Sequence, residues 1–85
     1  MVTGKLLRMN ATLIDPKQLR EAQTVTQTEL AIKHDLSIST VSRFEVGRLV
    51  SASARTRRKL AAAYGVEVEQ IDAYLQHHAS ASAAA

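Results

Sequence analysis

Thr26-Gln27-Thr28-Glu29-Leu30-Ala31-Ile32-Lys33-His34-Asp35-Leu36-Ser37-Ile38-Ser39-Thr40-Val41-Ser42-Arg43-Phe44-Glu45 is the stretch from which the fold is read. Thr26 followed by Glu29 at a spacing of three is a capping box, in which each side chain satisfies an orphan amide at a helix start. Leu30 and Ala31 then fall on one face. The pattern breaks at His34-Asp35-Leu36, and Ser37 offers a fresh N-cap hydroxyl. Beyond it Val41 and Phe44 repeat at helical spacing, while Ile38, Ser39, Ser42 and Arg43 point elsewhere. Two short amphipathic helices joined by a tight turn are expected, with small polar residues leading the second.

The rest of the composition narrows what such a pair can serve. An 85-residue chain is one small domain with room for a single modest core. Hydrophobic residues make up 46% but aromatics only 4%, so a core of Leu, Ile and Val is expected, as in a compact helical bundle. With no cysteine, neither a disulfide nor a thiolate metal site can supplement that core. No apolar run is long enough to span a bilayer and no signal-peptide pattern follows Met1, which gives the expectation of a soluble, cytoplasmic protein without a membrane partner. The net charge of +3 says less than its distribution. Arg43, Arg48, Arg55, Arg57, Arg58 and Lys59 are opposed in their stretch only by Glu45, whereas Glu67, Glu69 and Asp72 follow without a further Lys or Arg. A basic middle beside an acidic end gives one face for a polyanion and another for something else. A short helix whose polar outer face ends in Arg43 then suits the major groove of DNA.

Along the chain the pattern divides into an arm (1–14), a helical domain (15–76) and a tail (77–85). In the arm Leu7, Met9, Ala11 and Leu13 alternate with polar residues, the period of a half-buried strand. A lone strand in a helical chain must pair with something or stay loose, and both readings stay open. Asp15-Pro16 opens helix 1, with Leu19 and Ala22 inward, to about Thr24. Helix 2 is expected over about 27–34 and helix 3 over about 38–46, stopped by Gly47. Helix 4 is expected over 54–64, with Leu60, Ala61 and Tyr64 inward and Gly65 as its stop, and helix 5 over 68–76, with Ile71 and Leu75 inward. The Ala/Ser-rich tail reads as disordered, although its alanines could let helix 5 fray onward.

Three segments in order carry a resemblance: Val25 to Ala31; Leu36-Ser37 with Ser39 to Glu45 and Gly47; and Leu60-Ala61, Tyr64-Gly65-Val66 with Val68 and Ile71. In these the chain resembles the lambda-repressor-like, Cro/repressor-type (xenobiotic response element) helix-turn-helix family, over about 19–75. The resemblance implies an all-α, five-helix bundle that binds double-stranded DNA. It also implies roles: Gln27 on a backbone phosphate; Ile38, Ser39, Ser42 and Arg43 on base edges; Thr40 on phosphate or base; and Arg48 and Arg55 on the backbone. Helix N-termini attract phosphate, and a guanidinium can fork onto guanine, which fits those roles. Arg20 and Glu45 sit where the family places a structural ion pair. Three residues and one loop depart from the pattern. Asp35 replaces a usual glycine at a left-handed turn, His34 an apolar residue and Arg57 another, and the loop 48–53 lacks the usual proline.

The functional expectation is a sequence-specific transcriptional regulator, a Cro-like or phage-type repressor on a palindromic operator, the short length favouring one without a separate ligand domain. The alternative is an antitoxin or partner-dependent regulator whose main contact is another protein. No catalytic constellation is present: His34 and Asp35 are adjacent, with no third group or Gly-rich loop beside them. No cofactor or metal is expected, and His77-His78 read as solvated tail residues. One recognition helix covers few base pairs, so a homodimer is expected. Two surfaces offer themselves: the arm with Leu7, Met9, Ala11 and Leu13, slightly preferred, or Ile71, Tyr74 and Leu75 of helix 5.

Overall fold

The structure is a computed structural model that describes residues 13–84, with side chains through Ala81. Five helices and no strand occur among the described residues: α1 Pro16–Ala22, α2 Gln27–Lys33, α3 Ile38–Glu45, α4 Ala54–Tyr64 and α5 Val68–Ala84. None of them is long and apolar enough to cross a membrane. The arm from Met1 to Thr12, including Leu7, Met9 and Ala11, lies outside the described residues.

Local chemistry sets each helix start. The Asp15 carboxylate accepts from Gln18 N at 3.3 Å, with Pro16 in the first turn. The box at α2 is complete: Thr26 Oγ1 accepts from Glu29 N at 3.1 Å, and Glu29 Oε1 accepts from Thr26 N at 2.8 Å. Ser37 and Ser53 cap α3 and α4 by accepting from Thr40 N at 3.0 Å and Thr56 N at 3.2 Å. Gly65 ends α4 in the left-handed conformation, φ 70°. Asp35 takes the same conformation, φ 55°, in the turn between α2 and α3. An unforeseen left-handed residue, Thr24 at φ 62°, follows α1, which ends at Ala22, short of the expected boundary.

The core is Leu30 and Ala31 of α2, Val41 and Phe44 of α3, Leu60, Ala61, Ala63 and Tyr64 of α4, and Ile71, Tyr74 and Leu75 of α5, with Leu49 from the loop. Of its largest fully buried side chains, Leu30, Leu60, Ile71 and Val41 are aliphatic, as expected, and Phe44 joins them. Phe44 lies 5.1 Å from Tyr64 and 4.9 Å from Tyr74 between ring centroids, so the chain's one Phe and both Tyr form a single cluster of tilted rings. Each ring buries a large area, so these few aromatics add much to so small a core.

Two expectations change here. The segment from His77, read from composition as a disordered tail, continues α5 to Ala84. Alanine has the highest helix propensity, and α5 already supplies the nucleus that propagation needs. The proposed helix 5 dimer surface is also spent: Ile71, Tyr74 and Leu75 are all buried in the chain's own core. The apolar side chains at those positions close the bundle and have no face left for a second copy.

Candidate nucleic-acid interface

Helix α3 has one face in the core and one outside. Val41 and Phe44 are fully buried, whereas Ile38 is 50% and Val46 64% exposed, with Ser39 and Arg43 also exposed and Ser42 half-buried. At about 100° per residue, Ile38, Ser42, Val46, Ser39 and Arg43 fall in that order around one continuous arc. Val46 sits in the middle of the arc. Sequence reading passed it over as the last residue of a helix; its position on the wheel, halfway between Ser42 and Ser39, could have marked it. Thr40 lies beside the arc, half-buried, and its hydroxyl accepts from Ser37 Oγ at 2.8 Å.

A polar cluster beneath α3 fixes where that arc points. Arg20 of α1 forms a forked ion pair with Glu45: Nε to Oε2 at 2.6 Å and Nη2 to Oε1 at 3.0 Å. The pair is nearly closed from water, with 12% of the Arg20 side chain and 2% of the Glu45 side chain exposed. A third guanidinium contact, Nη1 to Val25 O at 3.0 Å, ties in the segment before α2. Glu45 also accepts from Tyr64 Oη at 2.8 Å and from Gln27 Nε2 at 3.0 Å. Burial alone would push the Glu45 carboxyl up, but hydrogen bonds from Arg20, Gln27 and Tyr64 hold it below the usual glutamate range. Burial, then the Glu45 hydrogen bond, pushes the Tyr64 hydroxyl far above its ordinary range. One carboxylate therefore joins α1, α2, α3 and α4.

Gln27 thus has a task that sequence reading did not assign. Its amide is anchored on Glu45, and since a carboxamide carries two N–H donors, one remains for another acceptor.

The turn between α2 and α3 is secured from α4. Lys59 Nζ donates to the Asp35 carbonyl at 3.0 Å and to Asp35 Oδ2 at 2.9 Å. These contacts, first the hydrogen bond and then the charge of Lys59, hold the exposed Asp35 carboxyl below its usual range. At this left-handed position the aspartate side chain gains a cation. His34 beside it is half-buried, and burial followed by the charge of Lys33 lowers its pKa.

The basic stretch sorts into two sets. Lys59 is engaged with Asp35. Arg57 turns inward, donating from Nη1 to Ala52 O at 2.6 Å, with Nε 2.8 Å from Asp72 Oδ1 but not aimed at it. Helix α4 begins at Ala54, where expected, and Arg57 is half-buried on it. Arg43, Arg48, Arg55 and Arg58 are exposed, and among the described residues no carboxylate pairs with them. Their charges are available to a polyanion.

Among the described residues no group of three or more His, Cys, Asp or Glu could hold a metal ion. A family model described as a helix-turn-helix domain matches residues 17–74, from the first turn of α1 to the Tyr74 contact with α3. No curated protein and no solved structure matches the chain.

Proposed function

This chain belongs to the helix-turn-helix domain family, and from that premise we infer that it is a Cro-like repressor reading a palindromic operator. Helix-turn-helix domains are DNA-binding regulators that lay their second helix in the major groove. In this reading α3 is that helix. Arg43 forks onto guanine, Ser39 and Ser42 bond to base edges, Ile38 meets a thymine methyl, and Thr40 takes a phosphate or a base. Gln27, Arg48 and Arg55 hold the backbone and set register without reading sequence.

The observation that carries the reading is the division of α3. Its inner face is fixed by Phe44 against Tyr64 and Tyr74 and by the Glu45 cluster, whereas Ile38, Ser39, Arg43 and Val46 of its outer arc are exposed. A preorganised helix with a free outer face loses little freedom on docking.

For a palindromic site the chain would act as a dimer. With Ile71, Tyr74 and Leu75 inside the core, the arm is the surface we propose, through Leu7, Met9, Ala11 and Leu13. Leu13, the one of these four within the described residues, is half-buried against the bundle. A gel shift with the purified chain and a pool of randomised duplexes tests the function. Repeated selection should recover a symmetric site with half-sites about one helical turn apart. Failure to retain any duplex without an added protein would favour the partner-dependent regulator.

A further inference from the structure

The continuation of α5 past Gln76 brings His78 onto the far end of α3. A Cβ built on Gly47 would lie 2.6 Å from His78 Cε1 and 2.8 Å from Nδ1, so the imidazole occupies the space that any other residue at 47 would need. The same ring meets Tyr74 edge-on, centroids 4.5 Å apart. Tyr74 in turn packs on Phe44 and donates its hydroxyl to Phe44 O at 3.0 Å, a buried bond to the last turn of α3. That turn closes through Gly47 N to Phe44 O at 3.2 Å and Arg48 N to Arg43 O at 2.8 Å. Ring, hydroxyl and glycine thus form one contact chain from the end of α5 to the backbone that carries Arg43, Val46 and Arg48.

We propose that His78 is a positioning residue for DNA binding: its ring, seated on Gly47 and braced by Tyr74, fixes the C-terminal turn of α3 and the direction in which Arg43 and Arg48 leave it. The proposal rests on the reading of α3 as the DNA-contacting helix. It assigns a purpose to a feature that the bundle alone leaves idle, the extension of α5 beyond its core contacts. His77 is exposed but meets the His78 ring edge-on, centroids 5.1 Å apart, so Gln76, also exposed on α5, serves as the internal control.

The test compares wild type with His78→Ala, His78→Phe and Gln76→Ala, using amide hydrogen exchange and affinity for the selected operator. His78→Ala should speed exchange at Gly47 and Arg48 while leaving Leu60 and Ala61 of α4 protected, because only local opening is altered. Its operator affinity should fall about tenfold, on the scale of one lost base contact. His78→Phe, which keeps a planar ring over Gly47, should recover most of both, and Gln76→Ala should match wild type. Unchanged exchange in His78→Ala overturns the contact. Faster exchange with unchanged operator affinity overturns the positioning role. If wild type itself binds no duplex, the DNA-binding reading fails and the positioning role fails with it, while the exchange data still decide the contact.

Discussion

Gly47 and Gly65 share a left-handed backbone, φ 77° and 70°, yet differ in their surroundings. Alanine at either position pays for the conformation, roughly 1–2 kcal/mol. At Gly65 nothing lies within 4 Å of the added methyl, whereas at Gly47 it meets the His78 ring. Gly47→Ala should therefore destabilise the fold by about 1 kcal/mol more than Gly65→Ala, on the scale of overpacking a filled site, as read by urea unfolding; equal losses would deny the contact. Arg43 is a different kind of residue, exposed on the outer arc and touching no part of the core. Arg43→Ala should leave the melting temperature unchanged and cost on the order of 1–3 kcal/mol against the specific site. Operator binding as tight as wild type would remove Arg43 from the reading set.

At the scale of the elements, Glu45 is what makes four helices one frame, and removing its main partner should show it. Arg20→Ala leaves a carboxylate buried without its cation, at a cost of roughly 3–5 kcal/mol, a large share of the stability of so small a domain. Calorimetry checks this; a normal melting temperature with lost DNA binding would place Arg20 at the interface instead. The same carboxylate gives a pH dependence. Its pKa is lowered on folding, so its contribution is complete above the ordinary glutamate value of 4.5 and is lost as pH falls through the lower folded value. His34, also lowered, acts in the same direction, its contribution declining as pH falls below 6.5. The melting temperature should fall with acidification below pH 4.5, less steeply in Glu45→Gln; parallel curves for the two proteins would assign acid lability elsewhere. Much of this frame could be read from sequence where the signal is local: Thr26 with Glu29, Ser37, Asp15-Pro16 and Gly65 each announce a helix end within a few residues. The placing of Arg20 opposite Glu45 came from resemblance, since 25 residues separate them and no spacing rule links such a pair. The Lys59 latch on Asp35, the turning of Gln27 toward Glu45 and the seating of His78 on Gly47 are tertiary contacts that no periodicity encodes. Composition misled at the tail, because alanine and serine suit both a disordered segment and a helix already nucleated upstream.

On the scale of the whole molecule, the described bundle presents a set of unpaired arginines, Arg43, Arg48, Arg55 and Arg58, while the side chains that close α5 onto it are spent inside. Arg48→Ala and Arg55→Ala should weaken specific and random duplex alike and flatten the salt dependence, each by about one unit of slope. An unaltered slope in both would remove them from the phosphate set. If the arm pairs two copies, deleting residues 1–10 should give a folded monomer by sedimentation with much weaker operator binding; a full dimer after the deletion would require an interface elsewhere. The most direct test of sequence-specific reading by α3 is fluorescence anisotropy of the purified chain on its selected duplex and on a scrambled duplex of equal length, at one fixed salt concentration. The selected site should bind at least about a thousandfold more tightly, and equal affinity for the two duplexes would contradict the account.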